Sequence, residues 1–323
     1  QIYCPVIGLT EKHGKALNVF SFNNNYIKFN QKEAITMIPP RFDYHAPKTI
    51  GEAVGLLSKY GDEAKLLAGG HSLLPMMKMR FTEPANLIDL NRIPELRGIK
   101  EDQGVIKIGA MTTENDVMNS ALLKQKIPLL PEAVKHIADP QVRNRGTIGG
   151  DIAHGDPAND HPAIAMALDA VFVLVGPKGR RQVKATDFFL GTYMTAMSAD
   201  EVLTEIQVAP FSPKTGYAYK KLKRKTGDWA TAAAAVVMQM SGDKVTSVKI
   251  SLTNVADKAL RANAAEQLMM NQTLNADLLA KVVAAVRSIC TPAEDLRGNA
   301  EYKTAMAGEM TKRAILDAAA RCK

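Results

Sequence analysis

The chain has 323 residues, of which 46% are hydrophobic, and its 41 basic and 33 acidic residues give a formal net charge of +8. This length suggests about two domains, and the apolar content argues against global disorder. No apolar run reaches the ~18 residues of a membrane helix, and residues 1–30 show no secretory signal. The net positive charge is compatible with binding to nucleic acid, an anionic membrane, an anionic ligand or an acidic protein partner, and does not distinguish among them.

The three cysteines, Cys4, Cys290 and Cys322, lie far apart and form no Cys-x-x-Cys pair. This argues against a disulfide framework and against an iron–sulfur cluster bound by this chain alone. It indicates a reducing, cytoplasmic compartment.

Residues 1–36 are rich in Asn and Phe and only weakly periodic, whereas strong patterning begins at Met37. We interpret residues 1–36 as an extension of unknown role, either unstructured or an artefact of the assigned start.

Helical and strand patterns alternate over residues 37–210, which predicts an α/β domain. Thr49 and Glu52 form a capping box that begins the first helix. The predicted helices are 49–60, 73–79, 113–119 and 131–138, and the predicted strands are 65–68, 87–90, 105–109, 171–175, 182–184 and 202–208.

The pattern of predicted elements changes near residue 211, at a proline-containing boundary at residues 210–213. Three consecutive strands are predicted at 217–223, 232–240 and 245–254, with a hairpin turn at 241–244. Helices follow at 262–270, 276–290 and 300–321. We therefore predict a second domain over residues 211–323, an antiparallel sheet with packed helices, and an α+β fold class for the whole chain.

Two glycine pairs stand out, in the strings AGGHS at residues 68–72 and TIGGD at residues 147–151. Glycine permits backbone angles that turn several amides toward one anion. Two such loops could grip both halves of a pyrophosphate, although each pair alone could also be an ordinary tight turn. The P-loop and Rossmann signatures are absent, which argues against those nucleotide sites.

A polar run at residues 156–162 follows the second glycine pair and contains two prolines. Its carboxylates could accept hydrogen bonds from sugar hydroxyls, and the alternatives are a metal site or a solvated loop. The spacing fits neither an EF-hand nor an HExxH helix, so we predict no metal ligands.

The basic run at residues 220–225 fits a solvated face, an acidic partner or nucleic acid, and one of its lysines could reach a ligand. Trp229, the only tryptophan, could pack in a core or stack on a flat ring. His71, His154 and His161 have no partnered Ser or Cys nucleophile in a known motif. We therefore predict no catalytic acid–base or nucleophilic residue.

Residues 37–323 resemble, nearly end to end, the medium FAD-binding subunits of aerobic molybdenum-containing carbon monoxide dehydrogenases, within the xanthine dehydrogenase (molybdenum hydroxylase) family. The matching strings are IPPRFDYH (38–45), LAGGHSLLP (67–75), GAMTT (109–113), ADPQVR (138–143), TIGG (147–150), GDP (155–157), KLKRK (221–225) with GD (227–228), and LTNVA (252–256).

The resemblance implies a two-lobed FAD-binding α/β domain, of the type shared with vanillyl-alcohol oxidase relatives, followed by the C-terminal sheet and helices. It implies noncovalent FAD in the cleft between the lobes. Trp229 stands where the family often has tyrosine, and Asp151 where many relatives have asparagine. The implied cofactor-binding residues are Ala68, Gly69, Gly70, His71, Ser72, Thr112, Thr113, Thr147, Gly149, Gly150, Asp151, Asp160, Met197, Lys223 and Trp229.

By resemblance, the FAD takes electrons from two [2Fe–2S] clusters on a small partner chain and passes them to a quinone-type acceptor. Substrate is oxidised at a molybdenum–copper cofactor on a large partner chain, and the complex is a dimer of heterotrimers, a cytoplasmic heterohexamer that could lie at the inner face of the membrane. The alternatives are an FAD subunit of another family member, a stand-alone FAD oxidase or a basic nucleic-acid-binding module.

Overall fold

The computed structural model describes residues 19–22, 25–28 and 37–322, with side chains from Met37 onward. Two short strands, Val19–Phe22 and Asn25–Lys28, pair in antiparallel fashion. The rest of the extension predicted at residues 1–36, including Cys4, lies outside the described residues.

Strands and helices are interspersed up to residue 208, with six consecutive helices between β7 and β8, and a run of strands followed by a run of helices makes up the C-terminal part. The strands are β1 (Val19–Phe22), β2 (Asn25–Lys28), β3 (Asp43–His45), β4 (Ala64–Leu67), β5 (Asn86–Asp89), β6 (Ile99–Asp102), β7 (Val105–Gly109), β8 (Val171–Gly176), β9 (Gly179–Lys184), β10 (Phe189–Gly191), β11 (Met194–Thr195), β12 (Val202–Val208), β13 (Gly216–Leu222), β14 (Ala232–Ser241), β15 (Lys244–Thr253) and β16 (Leu260–Arg261).

The helices differ widely in length, and the longest is the last. They are α1 (Ile50–Tyr60), α2 (Leu73–Lys78), α3 (Glu114–Asn119), α4 (Ala121–Lys126), α5 (Leu129–Val134), α6 (Pro140–Arg143), α7 (Ile148–His154), α8 (Asp160–Ala167), α9 (Ala185–Phe188), α10 (Asn263–Met269), α11 (Ala276–Ser288) and α12 (Ala300–Arg321).

The chain divides into two units, one with residues 1–41 and 74–83 and one with residues 42–73 and 84–323. In the first unit, the Arg80 guanidinium donates from Nη1 to the carbonyls of Met77 and Ile38, each at 2.9 Å. This side chain ties the end of the helical segment to the residues just before the second unit begins.

In the second unit, a small parallel sheet has the order β3-β5-β4. Its central strand β5 is buried at every position, as expected for a parallel strand covered on both faces. α1 lies against this sheet through Ala53, Val54 and Leu57. Thr49 caps that helix, because its Oγ1 accepts from the backbone N–H of Glu52 at 3.1 Å.

A five-stranded antiparallel sheet has the order β6-β7-β12-β8-β9. Its apolar residues share one core with α5 and α8. The parallel and antiparallel sheets together form the region predicted as the α/β domain.

A four-stranded antiparallel sheet, β13-β14-β15-β16, forms the C-terminal part. Its central strand β14 is buried along most of its length. Odd-numbered residues such as Ala233 and Ala235 lie in the core shared with α8, and even-numbered residues such as Ala234 and Val236 lie in the core shared with α11 and α12. A strand with two buried faces carries a continuous apolar run, because alternate side chains enter different cores.

The predicted α+β class, with a C-terminal antiparallel sheet and packed helices, is confirmed. One part of the interpretation is wrong: residues 147–151 were expected to form a loop, and the structure places the first turn of α7 there. In the polar run at residues 156–162, α8 begins at Asp160. Thr147 caps α7 through a hydrogen bond from the Gly150 amide to its Oγ1, and this capped turn accommodates the glycines that the sequence alone marks as loop.

Candidate functional site

The first glycine pair lies directly after β4, in a turn that leads into α2. Gly70 has a φ of 80°, in the left-handed region that glycine adopts without strain. A Cβ placed on Gly69 would lie only 2.4 Å from the carbonyl oxygen of Arg145. The backbone at Gly69 therefore packs directly against the backbone at Arg145, and this close approach leaves no room for a side chain at residue 69.

This turn presents unused backbone donors. Within the described part of the chain, no protein atom accepts a hydrogen bond from the amides of Gly69, Gly70, His71 or Ser72, whereas the carbonyl of Ala68 accepts from Asn91 Nδ2 at 3.1 Å. Consecutive free amides in a glycine turn make an anion-binding concavity. We name residues 68–72 the amide cradle.

The second glycine pair lies in the first turn of α7 and uses its amides differently. Gly149 N–H donates to the Ala110 carbonyl at 2.9 Å, and Ile148 N–H donates to the Thr112 carbonyl at 3.1 Å. The next two amides donate to Thr147, one to its Oγ1 at 3.2 Å and one to its carbonyl at 3.0 Å. These amides thus fasten α7 to the rest of the domain.

The two glycine pairs nevertheless lie side by side in the fold. A Cβ placed on Gly150 would lie 3.3 Å from the Cβ of Ala68, and one placed on Gly149 would lie 2.4 Å from the Cβ of Ala110. The second pair therefore forms a close-packed wall beside the amide cradle.

The threonines predicted near the cofactor are part of this wall. Thr112 is buried, and its hydroxyl donates to the Gly98 carbonyl at 3.2 Å. Thr113 caps α3, and its backbone bridges to that of Thr147. Any direct contact of these hydroxyls with a ligand stays a prediction.

Asp160 lies at the start of α8 and is buried, with a charged and a phenolic partner. Its Oδ2 accepts from Lys221 Nζ at 2.7 Å, and its Oδ1 accepts from the Tyr219 hydroxyl. Lys221 also donates to the carbonyl of His136 at 3.1 Å. Burial, together with the Asp160 charge, raises the pKa of Tyr219 well above its usual value. The phenol therefore keeps its proton at neutral pH and donates it to Asp160 Oδ1.

A second buried group of charges lies between α3, α7 and α8. His161 Nε2 lies 2.8 Å from Glu114 Oε2, and both side chains are almost fully buried. Burial alone lowers the pKa of His161, but the charge and hydrogen bond of Glu114 outweigh it and raise that pKa to about 9. The imidazolium therefore donates to the Glu114 carboxylate at neutral pH.

Asp151 faces the same charges from α7. Its Oδ2 is buried, and no described residue donates a hydrogen bond to it. Burial, reinforced by the charges of Glu114, Asp160 and Asp156 and opposed by His161, raises the pKa of Asp151 to about 7. The carboxyl therefore holds its proton up to about neutral pH.

Lys223 lies on the same face of the chain as Lys221, two residues away, and its Nζ reaches the same His136 carbonyl at 3.4 Å. Burial and the neighbouring Lys221 charge lower its pKa. Arg143 donates from Nη1 to the carbonyls of Ile137 and Ala138, at 2.7 and 3.3 Å. Several cations thus converge on the segment that contains His136.

Trp229 follows the basic run in the chain and is 52% exposed. The Arg297 guanidinium lies 5.5 Å from the ring centroid. The ring therefore has one face in contact with a cation and a large area left uncovered.

Met197 follows β11, and its side chain packs against the core under the five-stranded sheet. The β10–β11 turn lies beside the end of α7, where Tyr193 N–H donates to the Gly155 carbonyl at 3.0 Å. None of the contacts among the described residues joins Met197 or Trp229 to the amide cradle.

The donor set fits an anionic, phosphate-bearing ligand with a flat ring. It combines free amides, partly buried lysine and arginine, and an uncovered indole. Among the described residues, no group of three His, Cys, Asp or Glu side chains could hold a metal ion. No helix in the described ranges is long and apolar enough to span a bilayer.

A family model described as the FAD binding domain in molybdopterin dehydrogenase matches residues 40–211. A second model, described as the CO dehydrogenase flavoprotein C-terminal domain, matches residues 217–318. The chain belongs to the FAD-binding family of the molybdopterin dehydrogenases.

Individual relatives agree with this family. The carbon monoxide dehydrogenase medium chain of Hydrogenophaga pseudoflava is 60% identical over 88% of this chain and 100% of its own length. That of Afipia carboxidovorans is 50% identical over 89% of this chain and 100% of its own length. The structure of the Hydrogenophaga pseudoflava carbon monoxide dehydrogenase that lacks the Mo-pyranopterin moiety of its molybdenum cofactor matches with a TM-score of 0.88 at 62% identity, covering 88% of this chain and 100% of that one.

The resemblance drawn from the sequence and the expected FAD-binding class of oxidoreductase are therefore confirmed. Sequence reasoning in this FAD-binding chain missed the partners of the predicted residues. Alternation in the basic run could have identified Lys221 as a neighbour of Lys223. Only the fold could identify Tyr219, Glu114 and Arg297, which come from distant segments.

Proposed function

We propose that the chain is the FAD-binding, electron-transferring subunit of an aerobic carbon monoxide dehydrogenase. The observation that carries the proposal is the amide cradle, whose unused backbone donors lie against the close-packed wall at residues 145–150. Family membership supports FAD as the ligand. The 60% and 50% identical carbon monoxide dehydrogenase medium chains support the identity of the complex.

The amides of residues 69–72 would hold the FAD diphosphate, because they have no acceptor in the described chain. Ala68, Thr112, Thr113, Thr147, Gly149 and Gly150 would shape the wall beside it. The protonated carboxyl of Asp151 would avoid repulsion with the phosphates, since its pKa is raised to about 7 by burial.

At the ring end, Lys223 and Trp229 would border the isoalloxazine, with Met197 on the side of the β10–β11 turn. Asp160 would face the ribityl chain or a ribose from its fixed position between Lys221 and Tyr219. Lys223 and Arg143 have no carboxylate partner among the described residues. Their charge would favour extra electron density on the ring.

FAD would supply the redox chemistry, since it can accept two electrons, either singly or together. The chain orients the cofactor, excludes water from part of it and sets its electrostatic surroundings. The proposal requires no acid–base pair on this subunit.

The partners would be a small chain with two [2Fe–2S] clusters and a large chain with the molybdenum–copper cofactor, arranged as a dimer of heterotrimers. The acceptor would be a quinone, reached from the cytoplasmic side of the membrane. The multi-chain character is supported by the relatives, which are named medium chains.

Co-purification from the native source tests the complex. We expect two further chains together with flavin, iron, molybdenum and copper, and oxidation of carbon monoxide. Copper-free preparations that oxidise another substrate would favour a different family member, and a preparation without flavin would contradict the proposal.

Two single substitutions, one in the amide cradle and one in a distant turn, test the cradle directly. Gly70 has a φ of 80° and Gly104 a φ of 76°, so alanine introduces similar backbone strain at both positions. We expect Gly70→Ala to lower the FAD content per chain and Gly104→Ala, in a turn with open space around it, to leave it unchanged. Equal FAD retention in both variants would contradict the assignment of the amide cradle.

A further inference from the structure

Trp229 is held by a side chain that no sequence motif links to it. Arg297 lies beyond α11, in the segment that precedes α12, and its guanidinium is 5.5 Å from the indole centroid. A cation within about 6 Å of a tryptophan face is attracted by the ring quadrupole. Arg297 therefore covers one face of the ring.

The guanidinium itself is anchored on both sides. Its Nη2 donates to Asp228 Oδ1 at 2.9 Å and its Nη1 to Asp295 Oδ2 at 3.3 Å. Asp295 is tied in turn to Lys303, with Nζ 2.9 Å from Oδ1. The side chain of Arg297 is only 17% exposed, so it cannot move far from the ring.

Asp228 completes the arrangement because it precedes Trp229 in the chain. Its Oδ1 accepts from the Trp229 backbone N–H at 2.9 Å, and its Oδ2 accepts from Arg224 Nε at 2.8 Å. Burial alone raises the pKa of Asp228, but the hydrogen bonds from Arg224 and Arg297 lower it to about 2. One carboxylate thus holds both the backbone of Trp229 and the cation over its ring.

We infer that Arg297 is a positioning residue, which holds the Trp229 ring in one orientation so that its uncovered face can stack on a flat ligand ring. This inference rests on the proposed function, which places Trp229 beside the isoalloxazine. Without the cation, a ring that is 52% exposed would sample several rotamers, and only one would suit a bound flavin.

The sole tryptophan of the chain makes the inference measurable by fluorescence. Time-resolved anisotropy of the full chain reports the motion of Trp229 without FAD, and quenching of the same emission reports FAD binding. The variant is Arg297→Gln, which removes the charge and keeps a polar chain. The matched control is Arg224→Gln, which removes the other guanidinium from Asp228 but none over the ring.

In Arg297→Gln we expect the population of Trp229 rings held in one orientation, relative to those that rotate freely, to fall about two- to fivefold. This is the range that an exposed cation–π contact supplies. The FAD dissociation constant rises by at most the same factor, because only the held orientation is competent to bind. Arg297→Lys, which keeps the charge but not the planar fork, restores part of both effects. Arg224→Gln leaves both values as in the wild type.

Wild-type anisotropy in Arg297→Gln, or the same loss in Arg224→Gln, would overturn the inference. Should Arg297→Gln fail to fold, the wild-type chain decides: a fast-rotating indole there contradicts a held ring. FAD that leaves wild-type Trp229 emission unchanged would instead contradict the proposed placement of the flavin, whatever the anisotropy shows.

Discussion

The glycines of α7 and those of α1 differ in what a side chain would meet. A Cβ on Gly149 would lie 2.6 Å from the Ala110 carbonyl oxygen, which already accepts a hydrogen bond from the Gly149 amide. A Cβ on Gly55 would meet nothing within 4 Å, on the exposed face of a helix. The same substitution therefore has opposite consequences at the two positions.

We predict that Gly149→Ala lowers the free energy of unfolding by about 2–4 kcal/mol, since α7 must move away from Ala110. Gly55→Ala raises it by about 0.5–1 kcal/mol, because alanine has the higher helix propensity. Urea unfolding followed by circular dichroism measures both. A neutral Gly149→Ala would mean that α7 yields easily and that the wall beside the amide cradle is soft.

Asp151 makes the stability of the fold depend on pH. The unfolded carboxyl ionises near its ordinary pKa of 3.8, whereas the folded one keeps its proton up to about pH 7. The folded state therefore binds the extra proton between these values, so the contribution of Asp151 to stability falls as the pH rises from about 4 to about 7 and is level above that.

Asp151→Asn removes this dependence. We expect the variant to gain about 2–4 kcal/mol relative to wild type between about pH 4.5 and about pH 8, measured by urea unfolding at the two pH values. The exposed Asp62→Asn is the control, since its carboxylate stays in water in both states. Parallel pH profiles for wild type and Asp151→Asn would show that the carboxyl is ionised in the fold.

At the scale of elements, β13 and α8 are joined by a buried ion pair. The side chains of Lys221 and Asp160 are 2% and 5% exposed, and removing one partner of such a pair leaves the other charge buried and uncompensated. The neighbouring Lys220 pairs with Asp317 in an exposed setting, where an ion pair contributes little.

We therefore predict that Lys221→Met lowers the free energy of unfolding by about 3–5 kcal/mol, whereas Lys220→Met lowers it by less than about 1 kcal/mol. Adding Asp160→Asn to Lys221→Met recovers much of the loss. Equal effects at the two lysines, again by urea unfolding, would argue that water reaches the Asp160 carboxylate.

The elements also show what could be predicted from the sequence. The α1 helix was predictable because its signal is local: Thr49 caps Glu52, three residues away. The helical state of Gly149 and Gly150 was not predictable, because Gly149 packs against Ala110, a contact between distant residues that no local pattern reveals. Likewise, the glycine motifs indicated a possible shared phosphate ligand, but the partners of Asp160 and Trp229 could not be predicted because they come from distant segments.

At the scale of the molecule, the regions matched by the two family models share one hydrophobic core. Ala233, Ala235 and Val237 of β14 pack in the same cluster as Ile164 of α8. Arg321 near the C-terminus pairs with Glu132 at 2.9 Å, which adds a polar tie between the same regions.

We predict that residues 42–73 and 84–322 unfold in a single transition, because the shared core couples the regions matched by the two family models. Differential scanning calorimetry should give equal calorimetric and van't Hoff enthalpies, and residues 37–211 expressed alone should not show the near-ultraviolet circular dichroism of a packed fold. Two separate transitions would contradict this coupling.

The central strand β14 is a single layer of backbone that separates the two cores. Damage in the core shared with α11 and α12 is therefore transmitted through this strand to the core shared with α8. Ala314 of α12 is fully buried against β14, and a bulky residue there would displace the strand. A genetic screen for colonies that lose the yellow colour of the flavin should thus recover lesions in the C-terminal helix.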